Sequence, residues 1–349
     1  MDQNCTFGTI GKKRASAYAV IFVICALIVL FQGIRFSDPD YPGYFKMLLS
    51  SNLSSIDPSK GYLLEGVLVD LIGIAYAAAG FKAFTAQLSW WISGLVLLVL
   101  TTAFSVRSRS ISLADLVLIV SFSRVIDTLF LWGGKFDPFL LSFLVLTANR
   151  SKRMALVGIV LASFSHPILA VISTTGIVLI EVTFEGVWFG AALWVVSLAA
   201  TIDVMLFHYF FSTLMDRLHL LLPLISQILN SGFHWGLATL LSALLLPIVY
   251  IQSFKPPLRL SKNTSVIVLT LWAIVVIITS CVLTLDHTRV ACLLTAAPLI
   301  VFLRSQKICV NAATTVIPRV SKLFIILFLS RLVIPHIDAE GPHLFWWTL

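Results

Sequence analysis

Continuously apolar runs of about 20 residues recur along the whole sequence and restrict its possible folds more than any other feature. A helix of that length crosses the roughly 30 Å hydrocarbon core of a bilayer. Of the 349 residues, 59% are hydrophobic and 11% are charged, whereas soluble domains carry about 25% charged residues. These values exclude a soluble globular domain, a disordered chain and a disulfide-stapled secreted scaffold. An outer-membrane barrel is also excluded, because its strands alternate apolar and polar residues.

Basic and acidic residues cluster at opposite ends of the apolar runs, and this distribution predicts a topology. With the N-terminus in the cytoplasm and an uncleaved first span, every basic cluster between two spans lies inside, while most acidic residues lie outside. The sequence therefore predicts an all-α polytopic membrane protein with about eleven transmembrane helices and an external C-terminus. The predicted spans are 15–34, 86–105, 111–132, 138–149, 154–180, 186–211, 218–232, 235–252, 264–284, 290–304 and 321–335.

One apolar run, 62–80, does not fit the alternation, because counting it as a span would invert the basic clusters that follow. We interpret it as a helix that lies at the outer interface, or that dips into the membrane and returns. Residues 35–87 then form an outer loop with this interfacial helix, within a single transmembrane domain of residues 1–349.

Several chemistries have no support in the sequence. It contains no phosphate-binding GxxxxGK[ST] loop, no strand-linked GxGxxG and no HExxH. The five cysteines show no CxxC or CxH spacing, so no zinc site or disulfide framework is indicated. The net charge of +8 reports membrane orientation rather than nucleic-acid binding. We expect no cofactor, no metal and no nucleic-acid partner.

The first group of candidate functional residues follows the first predicted span on the outer side. Prolines and a glycine shape this loop into turns, and Glu65 follows on the predicted interfacial helix. The alternative is an ordinary solvated loop. The loop candidates are Asp38, Asp40, Tyr41 and Tyr44.

Charged side chains inside or beside spans form the second group, because each costs at least about 2.5–3.5 kcal/mol at the bilayer centre. Arg124 and Asp127 are three residues apart and share a helix face, where they can also form a plain structural pair. Lys135 and Asp137 follow a glycine pair at the outer end of the same span.

The third group lies in later spans. His166 precedes Pro167 in the middle of a span, where proline removes a backbone hydrogen bond. Asp286 and Arg289 belong to a four-residue polar segment between two spans, and they can also be a simple ion pair. Other charged or titratable positions are scattered, and we assign them structural roles: Asp203, His208, His219, His234, Arg331 and His336.

Taken together, these motifs resemble the EpsG-like branch of Wzy-type polysaccharide polymerases. The family has an Asp-Tyr-x-x-Tyr loop after its first span, which Asp40-Tyr41-Pro42-Gly43-Tyr44 matches, and then a Glu-led apolar helix, as at Glu65. Four further features follow in the same order along the chain as in the family: Lys135, the basic cluster 150–153, His166 and Arg289. The resemblance covers roughly residues 15–175 and 265–305. The family commonly has Arg-Gln where this chain has Lys135-Phe136, and lysine lacks the bidentate fork of arginine.

The resemblance implies a multi-pass protein of the bacterial inner membrane, similar to the all-helical membrane glycosyltransferases. Such enzymes polymerise undecaprenyl-diphosphate-linked oligosaccharide repeats into a surface polysaccharide at the outer face. The bilayer, a flippase and a chain-length regulator are the further partners that it implies.

The residues suit such a transfer. A diphosphate leaving group needs cations, for which the candidates are Arg124, Lys135 and Arg289, with Asp286 beside Arg289. The attacking hydroxyl needs a general base, for which the candidates are Asp40, Glu65 and His166. Asp38 is expected to orient the acceptor or a metal, and Tyr41 and Tyr44 to pack on sugar rings.

Two other functions remain open at this point. One is another membrane glycosyltransferase or ligase that uses a polyprenyl-phosphate sugar. The other is a lipid or sugar transporter, since intramembrane charges also mark transport pathways. Transporters usually contain internal repeats, and none is visible here.

Overall fold

The described part of the chain is almost entirely α-helical, which confirms the all-α class. The computed structural model describes residue 23 and residues 66–108, 129–130, 135–184, 189–211, 262–283, 287–305, 336–338 and 341–343. The helices are α1 (Val67–Ala78), α2 (Ala83–Arg107), α3 (Asp137–Thr147), α4 (Lys152–Ser165), α5 (Pro167–Phe184), α6 (Phe189–Phe211), α7 (Lys262–Leu283) and α8 (His287–Ser305). Two short strands, β1 (His336–Asp338) and β2 (Gly341–His343), pair antiparallel, and β1 contacts α8.

Five of the predicted spans coincide with observed helices to within three residues. These are α2, α3, α6, α7 and α8, which correspond to 86–105, 138–149, 186–211, 264–284 and 290–304. The predicted spans 218–232, 235–252 and 321–335 lie outside the described residues. Of the predicted spans 15–34 and 111–132, the structure describes residue 23 and residues 129–130.

The described residues do not support the predicted count of eleven spans. Among them one helix, Phe84–Arg107, is long and apolar enough to cross a membrane by length and composition. A single such helix is weak support for a membrane protein, because the core helix of a soluble protein passes the same test. Other apolar helical stretches in the described residues are shorter, and α3 has 11 residues.

The predicted span 154–180 is two helices rather than one. Helix α4 ends at Ser165, His166 adopts an extended backbone conformation (φ −158°, ψ 89°), and α5 begins at Pro167. Proline has no backbone N–H to continue the hydrogen bonding of α4, and its ring clashes with the preceding turn. The break predicted at this His-Pro pair is therefore present in the structure.

Helix α3 is the centre of the core, and each of its residues is buried. It packs against α2 and α4, while α5 packs against α6 and α8. Small residues allow these close approaches. A Cβ at Gly158 would lie 2.5 Å from the backbone nitrogen of Thr147, and one at Gly176 would lie 2.5 Å from Nε1 of Trp272. Small residues at helix contacts are typical of packing in membranes.

Large apolar side chains also point outward, in stripes along three helices. On α6 and α7 the exposed residues recur at intervals of three and four, which places each set on one helix face. The same holds on α2. The α6 stripe is Trp194, Leu198, Ile202 and Met205; the α7 stripe is Ile267, Leu271, Ile274, Val275 and Ile278; the α2 stripe is Ile92, Val96, Val99, Leu100 and Phe104.

Candidate functional site

A buried ion pair joins the first turns of α3 and α8. Arg289 donates from Nε to Oδ2 of Asp137 at 2.6 Å and from Nη2 to Oδ1 at 2.7 Å. Asp137 is completely buried, and Arg289 is 8% exposed. A bidentate pair of this kind fixes the plane of the guanidinium as well as its position. The sequence had offered Asp286 as a partner for Arg289, but Asp286 lies outside the described residues, and the pair that the structure places is with Asp137.

A second buried cation and two helix starts accompany this pair. Lys135 is two residues before Asp137 and is 7% exposed. Helices α3 and α8 both begin here, and the start of a helix carries a partial positive charge. Charges act more strongly where water is excluded. An anion is therefore the ligand that this arrangement favours.

Phe136 holds the segment between the two charged residues in place. Its ring is completely buried, stacks on Phe139 with centroids 4.8 Å apart, and meets Trp90 edge-to-face at 5.0 Å. Its carbonyl accepts hydrogen bonds from the backbone N–H groups of Phe139 and Leu140. Phe136, at one of the two positions where the sequence departs from the family pattern, is thus a buried aromatic residue. Its packing fixes the position of the backbone at Lys135 and Asp137 on either side of it.

His166 is half-buried and lies at the break between α4 and α5. The backbone N–H of Leu169 donates to Nδ1 of His166 at 3.4 Å, which is the bond of a helix N-cap, and Pro167 occupies the favoured first helical position. Because Nδ1 accepts this bond, the proton of the neutral ring lies on Nε2. In this geometry His166 presents a hydrogen-bond donor at Nε2, and it is less suited to act as a base.

The start of α1 meets the same break. A Cβ at Gly66 would lie 2.5 Å from the carbonyl oxygen of Phe164 and 2.6 Å from that of Ser165, so this approach requires glycine. Gly66 follows Glu65 in the sequence, and Ser165 precedes His166. The candidate bases Glu65 and His166 are therefore bonded to Gly66 and Ser165, which are in contact. Glu65 itself lies outside the described residues.

Asp203, on α6, also contacts the start of α1. Its Oδ1 accepts the backbone N–H of Val67 at 3.1 Å, across 136 positions of sequence. The side chain is 1% exposed. The structural role assigned to Asp203 agrees with this bond, but the sequence contained no signal for its partner.

The remaining site predictions cannot be compared with the structure. Of the sequence candidates, the described residues include Lys135, His166 and Arg289, and Lys135 and Arg289 both belong to the region of the ion pair. The other predicted site residues lie outside the described residues, namely Asp38, Asp40, Tyr41, Tyr44, Glu65, Arg124 and Asp286.

Sequence reasoning placed Asp137 beside Lys135 but gave it no part in binding or catalysis, whereas the structure pairs it with Arg289. A signal did exist, since both residues were predicted at the outer ends of spans, where opposite charges are expected to pair. Within the described residues no group of three His, Cys, Asp or Glu side chains is arranged to hold a metal ion.

Comparison with known proteins adds no relative. No protein-family model, no curated protein and no solved structure matches this chain.

Proposed function

We propose that this chain is a multi-pass membrane glycosyltransferase of the bacterial inner membrane that polymerises undecaprenyl-diphosphate-linked oligosaccharide repeats at the outer face. The observation that carries the proposal is the buried Asp137–Arg289 pair with Lys135 beside it, where two helices begin. This arrangement is suited to a diphosphate leaving group, and the order of motifs in the sequence resembles that of the polymerase family.

The outward apolar stripes support a position in the membrane. Contiguous apolar surface of this kind is unfavourable in water, whereas hydrocarbon is a suitable environment for the stripes on α2, α6 and α7. Helices α6 and α7 have 23 and 22 residues, about the thickness of the hydrocarbon core at 1.5 Å per residue, and the apolar stretches within them, Ala191–Leu206 and Thr270–Ser280, are shorter. The proposed topology retains eleven spans.

In this topology α1 is a helix that dips into the bundle and returns. Gly66 and Val67 are buried against the α4–α5 break and Asp203, while Gly80 and Phe81 at the other end are exposed. Of the two alternatives for 62–80, the contacts favour the dipping helix. Backbone that is buried in protein is tolerated at such depth.

Arg289 serves both as a structural partner and as an anion ligand in this proposal. The carboxylate of Asp137 takes the Nε–Nη2 edge of the guanidinium and so fixes its plane and position. A preoriented donor costs no reorganisation as charge develops on the leaving diphosphate. Lys135 adds a second positive charge.

The transfer itself breaks the bond between the anomeric carbon and the diphosphate oxygen and forms a bond to a sugar hydroxyl of the next repeat. The hydroxyl proton passes to a carboxylate, for which Asp40 is the first candidate and Glu65 the second. The geometry of His166 favours a hydrogen-bond donor at this step, because its Nδ1 already accepts from Leu169.

Substitution of Arg289 tests the proposal in cells that lack their own copy of the gene. Arg289→Lys and Arg289→Ala are compared with the exposed control Arg153→Ala, and polymer length, single lipid-linked repeats and protein level are measured. We expect Arg289→Ala to abolish polymer while single repeats accumulate. Normal polymer in Arg289→Ala at a normal protein level would contradict the proposal.

A further inference from the structure

The start of α1 is a helix end whose own residue cannot cap it. A helix begins with backbone N–H groups that have no partner within the helix, and a Ser, Thr, Asp or Asn side chain at the N-cap usually accepts one of them. Here the position before Val67 is Gly66, which has no side chain. The carbonyl oxygens of Phe164 and Ser165 lie too close for a Cβ, so a capping residue cannot replace it.

Asp203 supplies the missing acceptor from another helix. Its Oδ1 accepts the N–H of Val67 at 3.1 Å, and the carboxylate is buried to 1% exposure. No ion pair joins Asp203 to any cationic side chain that the structure describes. A buried carboxylate is expensive in an apolar bundle, so its presence on the apolar helix α6 indicates a specific task at this helix start.

The position of this helix start matters for the transfer. Gly66 touches the end of α4 next to His166, and it is covalently bonded to Glu65. Two of the three candidates for proton transfer thus depend on where the first turn of α1 lies. Consecutive Cα atoms are held about 3.8 Å apart, so a shift of Gly66 moves the point at which Glu65 is attached to α1.

We propose that Asp203 is a positioning residue of the transferase: by accepting the Val67 N–H it holds the first turn of α1 against the α4–α5 break. This inference rests on the proposed function for its effect on catalysis, but the position of α1 can be measured separately. Asp203 acts through α1 and touches no substrate in this account.

The replacements Asp203→Asn and Asp203→Ala separate the hydrogen bond from the charge. Asparagine keeps a side-chain oxygen that accepts the N–H of Val67, whereas alanine does not. We expect kcat to stay within about threefold of wild type for the asparagine variant and to fall about 10–100-fold for the alanine variant, since a misplacement of about 1 Å costs up to about 10²-fold. KM for the lipid-linked repeat stays constant, because the ion pair of α3 and α8 is unchanged.

A labelling measurement tests the position of α1 without any assay of activity. Val69 is 1% exposed, so Val69→Cys is expected to resist maleimide in the otherwise unchanged chain and with Asp203→Asn. With Asp203→Ala it is expected to react, above the background of the five native cysteines. Gly66→Ala displaces the same turn independently and is expected to give the same labelling if Asp203→Ala does not accumulate.

The outcomes are distinct. If neither Asp203→Ala nor Gly66→Ala exposes Val69→Cys, Asp203 positions nothing and the inference is overturned. If Asp203→Asn is as damaging as Asp203→Ala, the charge rather than the accepted hydrogen bond is required, which also overturns it. If labelling follows the expectation but the wild-type protein forms no polymer, the positioning of α1 stands and the proposed function fails.

Discussion

Arg289 and Asp137 are 152 positions apart in the sequence, yet two hydrogen bonds of 2.6 and 2.7 Å join them in the buried core. The pair ties the start of α8 to the start of α3, the central helix of the described bundle. It also sets the orientation of the guanidinium before any ligand binds. In the proposed function, stability and anion binding therefore depend on the same side chain, and they can be separated by experiment.

Removal of either member of this pair is expected to destabilise the fold. Arg289→Ala and Asp137→Ala each leave a buried charge without its partner, which costs about 3–5 kcal/mol. The double variant is expected to lose clearly less than the sum of the two. Unfolding in detergent measures all three variants, and the exposed Arg153→Ala serves as the control. Additive losses would show that the two residues do not stabilise each other.

Activity is expected to respond differently from stability in the same double variant. If Arg289 binds the diphosphate, Asp137→Ala with Arg289→Ala recovers stability but forms no polymer. Polymer length and protein level in cells measure the two effects side by side. A double variant that polymerises normally would leave the pair with a structural role only.

Lys135 is expected to act through its charge. Lys135→Met keeps the length of the side chain and removes the ammonium, and we expect the polymerisation rate to fall about 10²-fold, as for loss of one preorganised donor. Lys135→Arg, the residue common in the family, is expected to retain activity. The control is Lys82→Met, since Lys82 is exposed. Equal rates for Lys135→Met and wild type would remove Lys135 from the anion site.

The general base is expected to be a carboxylate rather than His166. Asp40→Asn is nearly isosteric and is expected to lower the polymerisation rate about 10²–10⁴-fold, with donor binding unchanged. Glu65→Gln is the matched comparison, and a severe loss there with a mild loss at Asp40 would identify Glu65 instead. His166→Gln keeps a donor and is expected to be mild. A severe loss only in His166→Gln would contradict the interpretation of its Nδ1 bond.

The outward stripes are expected to face lipid. Arginine at the middle of a membrane helix costs at least about 2.5–3.5 kcal/mol, so Leu198→Arg and Leu271→Arg are expected to reduce membrane insertion. Ala79→Arg, at an exposed position after α1, is the control and should insert normally. Membrane-fraction yield after alkaline extraction measures the effect. Full yield of both stripe variants would argue that α6 and α7 do not contact lipid.

The sequence predicted helices well because their signal is local. Apolar runs and basic flanks predicted α2, α3, α6, α7 and α8 to within three residues, and the constraints of Pro167 predicted the break at His166. The division of one predicted span into α4 and α5 follows from the same proline. A hydropathy pattern counts apolar residues and does not distinguish one continuous helix from two helices that meet at a break.

The tertiary partners could not be predicted in the same way. The sequence offers Asp286, three residues from Arg289, as a partner, and this residue lies outside the described part of the chain. The partner Asp137, which helix packing brings in from 152 positions away, has no such local signal. The bond from Val67 to Asp203 has the same character. Such pairs depend on which helices pack together, and that depends on close contacts such as Gly176 against Trp272.

The leaving group released by the purified protein tests the central claim most directly. The wild-type chain in lipid vesicles is supplied with an undecaprenyl-diphosphate-linked repeat, and polymer and lipid products are measured together. The proposed function predicts one undecaprenyl diphosphate released for each new glycosidic bond, with both products lost in Arg289→Ala. Release of a polyprenyl monophosphate, or passage of the lipid-linked repeat across the bilayer without bond formation, would contradict it.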